Sequence, residues 1–277
     1  MNEPRTGGAG STSSKAVAYF DSNAEYYEES QYRVSRRTFV NGRHDQIVAM
    51  LSSLPASGTG SVLDAGCGPG HLVPEFARRY GRVFAMDTSP RMLSIASSNA
   101  ASFDNVEYQV GSIEALPFAD RSFDVVCSAG VIEYLQDCRQ AIREFQRVLK
   151  PGGLLILPTT NLLAPVHWLR PVLEPLARIP AVTRAFGLRP GDYKLWFHHI
   201  PEFKRMLRSA DFVIERERHF YLTLPRPLDR MFPDFARTLE RSLDRYMSTN
   251  LRHLAEGYIA VARKPFDRDH QQGELKA

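Results

Sequence analysis

Two hydrophobic periods alternate along this chain. Between residues 61 and 160, short unbroken apolar runs recur, and helical spacing of apolar positions follows most of them. The segments at 61–65, 82–87, 106–110, 123–127 and 153–158 read as strands, the first of them buried at Ser61 to Leu63. Helices are predicted at 70–80, 89–100 and 137–149, as the apolar positions Leu72, Val73, Phe76 and Ala77 illustrate for the first. Lys150-Pro151-Gly152-Gly153 is a helix stop followed by a turn. Strands alternating with helices predict an α/β fold, with parallel strands, right-handed crossovers and helices on both faces.

Outside this region the pattern changes. A polar-aromatic helix is predicted over 14–30. A second, over 36–54, carries Phe39, Val40, Ile47, Val48 and Leu51 on its apolar face. After the fifth strand, residues 159–192 hold Pro165, Pro171, Pro175, Pro180 and Pro190, which rule out one continuous helix. A helix at 201–210 and strands at 213–222 and 257–262 follow. Between the last two strands, a helix at 233–247 would present Phe235, Leu239 and Leu243 on one face and Arg237, Arg241 and Arg245 on another. The expected organisation is a disordered tail at 1–14, a helical segment at 15–55 and a ligand-binding core at 56–160. An apolar Pro-rich insertion at 161–199 comes next, then the rest of the core at 200–266 with a helical insertion at 225–256, and a flexible tail at 267–277.

Composition narrows the class. A chain of 277 residues with 43% hydrophobic content fits one domain with insertions. No apolar stretch approaches the roughly 18–20 residues needed to span a bilayer, and the first residues are Gly/Ser/Thr-rich rather than a signal peptide. Three cysteines, Cys67, Cys127 and Cys138, form an odd set without metal-ligand spacing. Reduced thiols in a cytoplasm, and no metal site, are the expectation. Residues 1–160 hold 15 basic and 17 acidic side chains, and the remainder 20 and 14. The basic half reads first as solvated surface. Contact with an anionic substrate or a peripheral contact with an anionic membrane surface stays open.

The most informative run is Ser61-Val62-Leu63-Asp64-Ala65-Gly66-Cys67-Gly68-Pro69-Gly70. A strand enters a turn whose alternate glycines let backbone N–H groups approach a ligand without interference from a Cβ. A second apolar run ends in Asp87, where an acid can accept both hydroxyl hydrogens of a ribose. An adenosine-containing cofactor follows. The spacing is G-x-G-x-G, not the G-x-G-x-x-G of a nicotinamide fold. Three later blocks keep their order: Gly111-Ser112-Ile113-Glu114-Ala115-Leu116-Pro117-Phe118, then Ser122-Phe123-Asp124-Val125-Val126-Cys127-Ser128, then Glu144 to Ile156 through Pro151-Gly152-Gly153.

In these blocks the chain resembles the class I S-adenosylmethionine (SAM) methyltransferases, in the small-molecule branch that includes the ubiquinone/menaquinone C-methyltransferases. The resemblance covers roughly residues 19–157. It implies a Rossmann-like, seven-stranded, mostly parallel sheet with an antiparallel last strand, with SAM as cofactor and S-adenosylhomocysteine (SAH) as product. It also implies that Asp64, Ala65, Gly66, Cys67, Gly68 and Gly70 cradle the methionine and ribose part, with Asp64 near the ammonium. Asp87 would take the ribose hydroxyls, Thr88 and Met92 the adenine faces, Ser112 and Ile113 its edge, and Ser128 the sulfonium side. Many relatives carry Asp where Ser112 stands, and often His where Tyr134 stands. Cys67 reads as a small space-filler rather than a nucleophile.

Methyl transfer from a sulfonium is in-line and needs alignment, not a metal or a covalent nucleophile. Alcohol or carbon acceptors need a base. Among His44, His167, His198, His199, Glu133 and Tyr134, His199 is the first candidate and Glu133 the second, against the ordinary surface or capping role of a histidine. Phe20-Asp21-Ser22-Asn23-Ala24-Glu25-Tyr26-Tyr27 resembles the family's N-terminal lid, with Tyr19 and Tyr27 facing the substrate. Trp168, Leu169, Val172, Leu173, Leu176 and Ile179 form an apolar cluster that suits either a hydrophobic acceptor (natural product, quinone or lipid-like) or a second small core. The leading expectation is methylation of such an acceptor, at oxygen rather than nitrogen or carbon. The alternative is a non-catalytic methyltransferase-like assembly protein. No N/D-P-P-Y/F motif and no basic-aromatic stacking platform supports a nucleic-acid substrate. The oligomeric state stays open.

Overall fold

The computed structural model describes residues 12–33, 39–54, 57–168, 195–221, 238 and 250–267. The predicted Arg237/Arg241/Arg245 row and most of the apolar cluster after Trp168 lie outside these residues.

Seven strands form one sheet: β1 (Ser57–Ala65), β2 (Tyr80–Asp87), β3 (Val106–Val110), β4 (Phe123–Cys127), β5 (Leu149–Thr160), β6 (Val213–Phe220) and β7 (Gly257–Arg263). Their order is β3-β2-β1-β4-β5-β7-β6. All neighbours pair in parallel except β7, which runs antiparallel to both β5 and β6. The helices are α1 (Thr12–Ser22), α2 (Ala24–Gln31), α3 (Phe39–Leu51), α4 (Val73–Ala77), α5 (Pro90–Asn99), α6 (Arg139–Val148) and α7 (Ile200–Ser209).

The central strands are apolar on both faces because each face has its own core, whereas the edge strands β3 (VEYQV) and β6 (VIERERHF) are largely exposed. Successive side chains of a strand point to opposite sides. Leu63 thus joins Met86, Ile142, Phe145 and Phe203 in one cluster, while its neighbour Val62 joins Ile47, Leu51, Phe76, Val83 and Ile156 in the other. Helix α6 buries Ala141, Ile142, Phe145 and Val148 and leaves Arg139 and Arg143 exposed, the amphipathic spacing predicted for 137–149. The predicted 14–30 helix is two helices, broken at Asn23, whose backbone (φ −122°, ψ 23°) leaves the helical region while its amide side chain donates to Tyr19 O at 2.8 Å. Strands β1 and β5 are longer than predicted. Neighbouring strands satisfy backbone groups that the apolar pattern does not mark. Among the described residues no helix is long and apolar enough to cross a membrane.

Candidate functional site

In chain order the sheet grows from β1 outward to β3 and then restarts on the other side at β4. The carboxyl ends of β1 and β4 are therefore adjacent while their loops diverge, which opens a crevice at the usual ligand position of such sheets. Asp64 stands at that point, in register with Ala85 of β2 and Cys127 of β4.

The turn that follows is fixed by three glycines with positive φ: Gly66 (81°), Gly68 (53°) and Gly70 (77°). They serve different ends. A Cβ on Gly66 would strike Val131, and one on Gly70 would lie 2.6 Å from Ala96 Cβ on α5. A Cβ on Gly68 would meet nothing within 4 Å, so this glycine borders open space. The loop is tied down by Gly66 N and Cys67 N, which donate to Met86 O at 2.7 and 2.9 Å. Asp87 accepts from Gly68 N and from Ser89 N, each at 2.9 Å, joining the loop to the end of β2.

Two acids close together in a dry crevice have physical consequences. Asp64 is 1% exposed, and among the described residues neither carboxylate oxygen has a hydrogen-bond partner. Burial, reinforced by the charge of Asp87, pushes its pKa up to about 7. Burial also raises Asp87, against the pull of its backbone donors. The Cys67 thiol rises through burial and the same two acids, and it packs beside Gly68 O. A buried carboxylate without partners is costly unless a ligand supplies the donor or positive charge.

The remaining cofactor candidates lie around this crevice. Ala65 and Met92 are buried, and Thr88 is exposed just past Asp87. Ser112 Oγ accepts from Glu114 N at 3.2 Å within a local turn, beside buried Ile113. Ser128 is fully buried; its hydroxyl donates to Ala65 O at 2.8 Å, clamping β4 to β1.

Helices α1 and α2 lie across the crevice and touch it in three places. Asp21 accepts from the Ser89 hydroxyl at 2.7 Å, and the same hydroxyl caps α5 by accepting from Met92 N. Glu28 meets His71 Nε2 at 2.7 Å, and Tyr32 stacks on the His71 ring at 3.7 Å. Phe20 packs edge-on against Tyr27 (5.3 Å) and Tyr134 (5.0 Å), while Tyr19 flanks Phe20 at 5.4 Å.

Behind these rings lies a charged group that the sequence reading passed over. Arg43 of α3 is 8% exposed, and its guanidinium rests against Gly130, where any Cβ would collide with it. It hydrogen-bonds Tyr27. Glu133, 4% exposed, accepts from Thr160 Oγ1 at 3.3 Å, and its second oxygen has no partner among the described residues. Burial raises the Glu133 pKa even though Arg43 opposes the shift. A signal for Arg43 exists in the sequence: Phe39, Arg43 and Ile47 recur every fourth residue, placing a cation on an apolar helix face.

The histidines separate. His199 occupies the N-cap position of α7 without a side-chain cap bond. His198 is the one turned into the protein, with Nδ1 2.8 Å from Thr159 Oγ1 and Nε2 3.5 Å from Cys138 Sγ, and burial lowers its pKa to about 4. Trp168 is 62% exposed. All three cysteines are free, and no metal-binding group of three or more His, Cys, Asp or Glu occurs among the described residues. A surface hollow of about 680 Å³ sits at the opposite, amino end of β4 and β5. Its charges are already engaged in holding the chain, with Lys264 donating to Gln146 O and Leu149 O at 2.7 and 2.8 Å.

A doubly wound sheet with a glycine loop, a buried acid and a half-buried one at its switch point defines the class: an α/β protein that binds a ligand at its strand ends. Comparison with known proteins gives the family. A methyltransferase domain profile matches residues 63–157. The chain is 32% identical over 169 residues to the demethylmenaquinone methyltransferase of Staphylococcus aureus, covering 57% of this chain and 70% of that one. It is 32% identical over 140 residues to an uncharacterized Bacillus subtilis methyltransferase, YcgJ, covering 50% of this chain. It spans about half (52%) of that relative's length. The magnesium protoporphyrin IX methyltransferase of Synechocystis, solved with bound SAH, shares the fold with a TM-score of 0.62 at 18% identity, covering 91% of this chain and 99% of that one. The chain belongs to the class I SAM-dependent methyltransferases.

Proposed function

We propose that this protein transfers a methyl group from SAM to a hydrophobic small-molecule acceptor, with oxygen as the favoured atom. The observation that carries this reading is the buried carboxylate of Asp64, unpartnered among the described residues, beside the open face of Gly68. The residues fit the cofactor: Asp64 would meet the methionine ammonium, the Gly66–Gly70 backbone would line its chain, and Asp87 would take the ribose hydroxyls. Thr88, Met92, Ser112 and Ile113 would frame the adenine. When bound, SAM supplies an electrophilic methyl on a sulfonium.

The chain's own residues do the rest. The α1–α2 roof excludes water, which strengthens each electrostatic contact beneath it. Phe20, Tyr27 and Tyr134 offer ring surface to an apolar acceptor. Glu133 is one candidate base: burial raises its pKa above the ordinary carboxylate value, which favours proton uptake. His199 at the head of α7 is the other candidate. The quinone-linked name of the Staphylococcus relative supports an apolar ring acceptor.

Calorimetric titration with SAM and SAH, repeated on Asp87→Ala, tests the cofactor. Micromolar binding lost in the variant is expected. Labelled-methyl transfer to apolar phenols and quinols, with product structures by NMR, then separates oxygen from carbon methylation. Cofactor binding without transfer to any acceptor would favour the non-catalytic assembly role.

A further inference from the structure

We propose that Glu28 is a positioning residue for the cofactor: from α2 it holds the glycine loop in its binding shape, so that seating of the roof and grip on SAM are coupled. This rests on the methyltransferase reading above, in which that loop receives SAM. Glu28 is 5% exposed, and both its oxygens are engaged. Oε2 lies 2.7 Å from His71 Nε2, and Oε1 accepts from Arg33 Nε at 3.3 Å and from Asn99 Nδ2 at 3.5 Å. Burial alone would raise its pKa, but these partners hold it below the ordinary value, so the carboxylate is ionised at neutral pH. An ionised carboxylate only accepts, which makes His71 Nε2 the donor.

The partners are placed on the loop itself. His71 follows Gly70 directly, and Asn99 of α5 also donates to Pro69 O at 2.9 Å. One roof carboxylate is thereby fastened to both sides of Gly70. Tyr32, just past α2, stacks on the His71 ring at 3.7 Å, and His44 of α3 donates to His71 O at 3.1 Å. A loop ordered before its ligand arrives loses less entropy on binding, so these ties favour affinity. Helix α1 has a separate tie: Asp21 accepts from Ser89 Oγ at 2.7 Å, and Ser89 N donates to Asp87 at 2.9 Å. Each roof helix therefore docks beside a different cofactor-binding segment. Linkage is reciprocal: if a seated α2 tightens SAM, bound cofactor must steady α2.

The test measures SAH affinity by calorimetry and amide hydrogen exchange with and without SAH, on the full chain. In the unmodified protein SAH should slow exchange in α2. Glu28→Ala should lose about tenfold in SAH affinity and lose the slowing in α2, while α1 keeps it through Asp21. Glu28→Gln, which retains an accepting oxygen, should lose only about threefold. His71→Ala should match Glu28→Ala, and the double variant should bind no more weakly than either single one, because both remove the same contact. Should Glu28→Ala not fold, Glu28→Gln and the exchange of the unmodified protein carry the comparison. SAH affinity unchanged in Glu28→Ala, additive losses in the double variant, or no SAH-dependent slowing in α2 would each overturn the proposal and leave the methyltransferase reading intact. Loss of the slowing in α1 as well would overturn it by making Glu28 a support of the whole roof. Absence of SAH binding by the unmodified protein would remove both readings.

Discussion

Cofactor affinity should depend on pH through one residue, Asp64. Its carboxyl is held at about 7, against an ordinary value of 3.8, because burial and the neighbouring Asp87 both disfavour the charged form. The empty protein therefore carries a proton there that the unfolded chain has released. The native state binds more protons than the unfolded one between about pH 4 and about 7, so this group's contribution to stability falls as pH rises through that window and is lost above the folded value. The shift corresponds to about 4 kcal/mol. A ligand ammonium reverses the preference, since it needs the carboxylate. Below pH 7, binding must expel the proton, and affinity should drop by about tenfold per pH unit toward acid until the bound-state pKa is reached. The assay is calorimetric titration of SAH between about pH 5.5 and about 7.5, in buffers of different ionisation enthalpy so that expelled protons are counted. Close to one proton should leave near the acid end and far fewer near the alkaline end. Asp64→Asn should abolish the slope and cost about 1.5–3 kcal/mol of affinity, while raising the melting temperature above neutral pH by removing an expensive buried charge. Flat affinity with no proton exchanged at acid pH, or an Asn variant that binds SAH as well as the parent, would refute the reasoning.

The other predictions are quicker to state. Gly70→Ala forces a Cβ to within 2.6 Å of Ala96 and into a positive φ, so it should destabilise by about 2–4 kcal/mol in a thermal melt, whereas Gly68→Ala, facing open space, should lose about 1 kcal/mol of stability and most SAH affinity. Glu28 is buried, which alone would raise its pKa, but His71, Arg33 and Asn99 hold it below the ordinary value. Its contribution is thus present at neutral pH and lost as pH falls through the folded value, and Glu28→Gln should speed hydrogen exchange in α2 at neutral pH without altering the exchange of β4. Ser112→Asp should keep or tighten SAM binding, because aspartate can accept from Glu114 N as the serine does; a tenfold loss on titration would show that Ser112 does not border the adenine.

The strand–helix alternation, the glycine turn and the acid ending β2 were legible in the chain because each is a local rule. Burial on both faces makes strands uniformly apolar, and a turn with three positive φ angles calls for glycine at Gly66, Gly68 and Gly70. The order of strands was not local: the antiparallel last strand came from family resemblance, and the adjacency of β1 to β4 that opens the crevice is a property of the assembled sheet. Only the tertiary structure showed that Asp64 has no hydrogen-bond partner among the described residues, since that depends on neighbours distant in the chain. It likewise turned His198 rather than His199 inward, two adjacent residues that the sequence cannot tell apart. Arg43 shows the limit most clearly. Its helical spacing marks it as anomalous, but what an anomalous cation does depends on residues 27, 32, 130, 133 and 134, which only folding brings around it. Local sequence sets backbone geometry, whereas burial and charge environment, which govern the chemistry, are sums over residues distant in the chain.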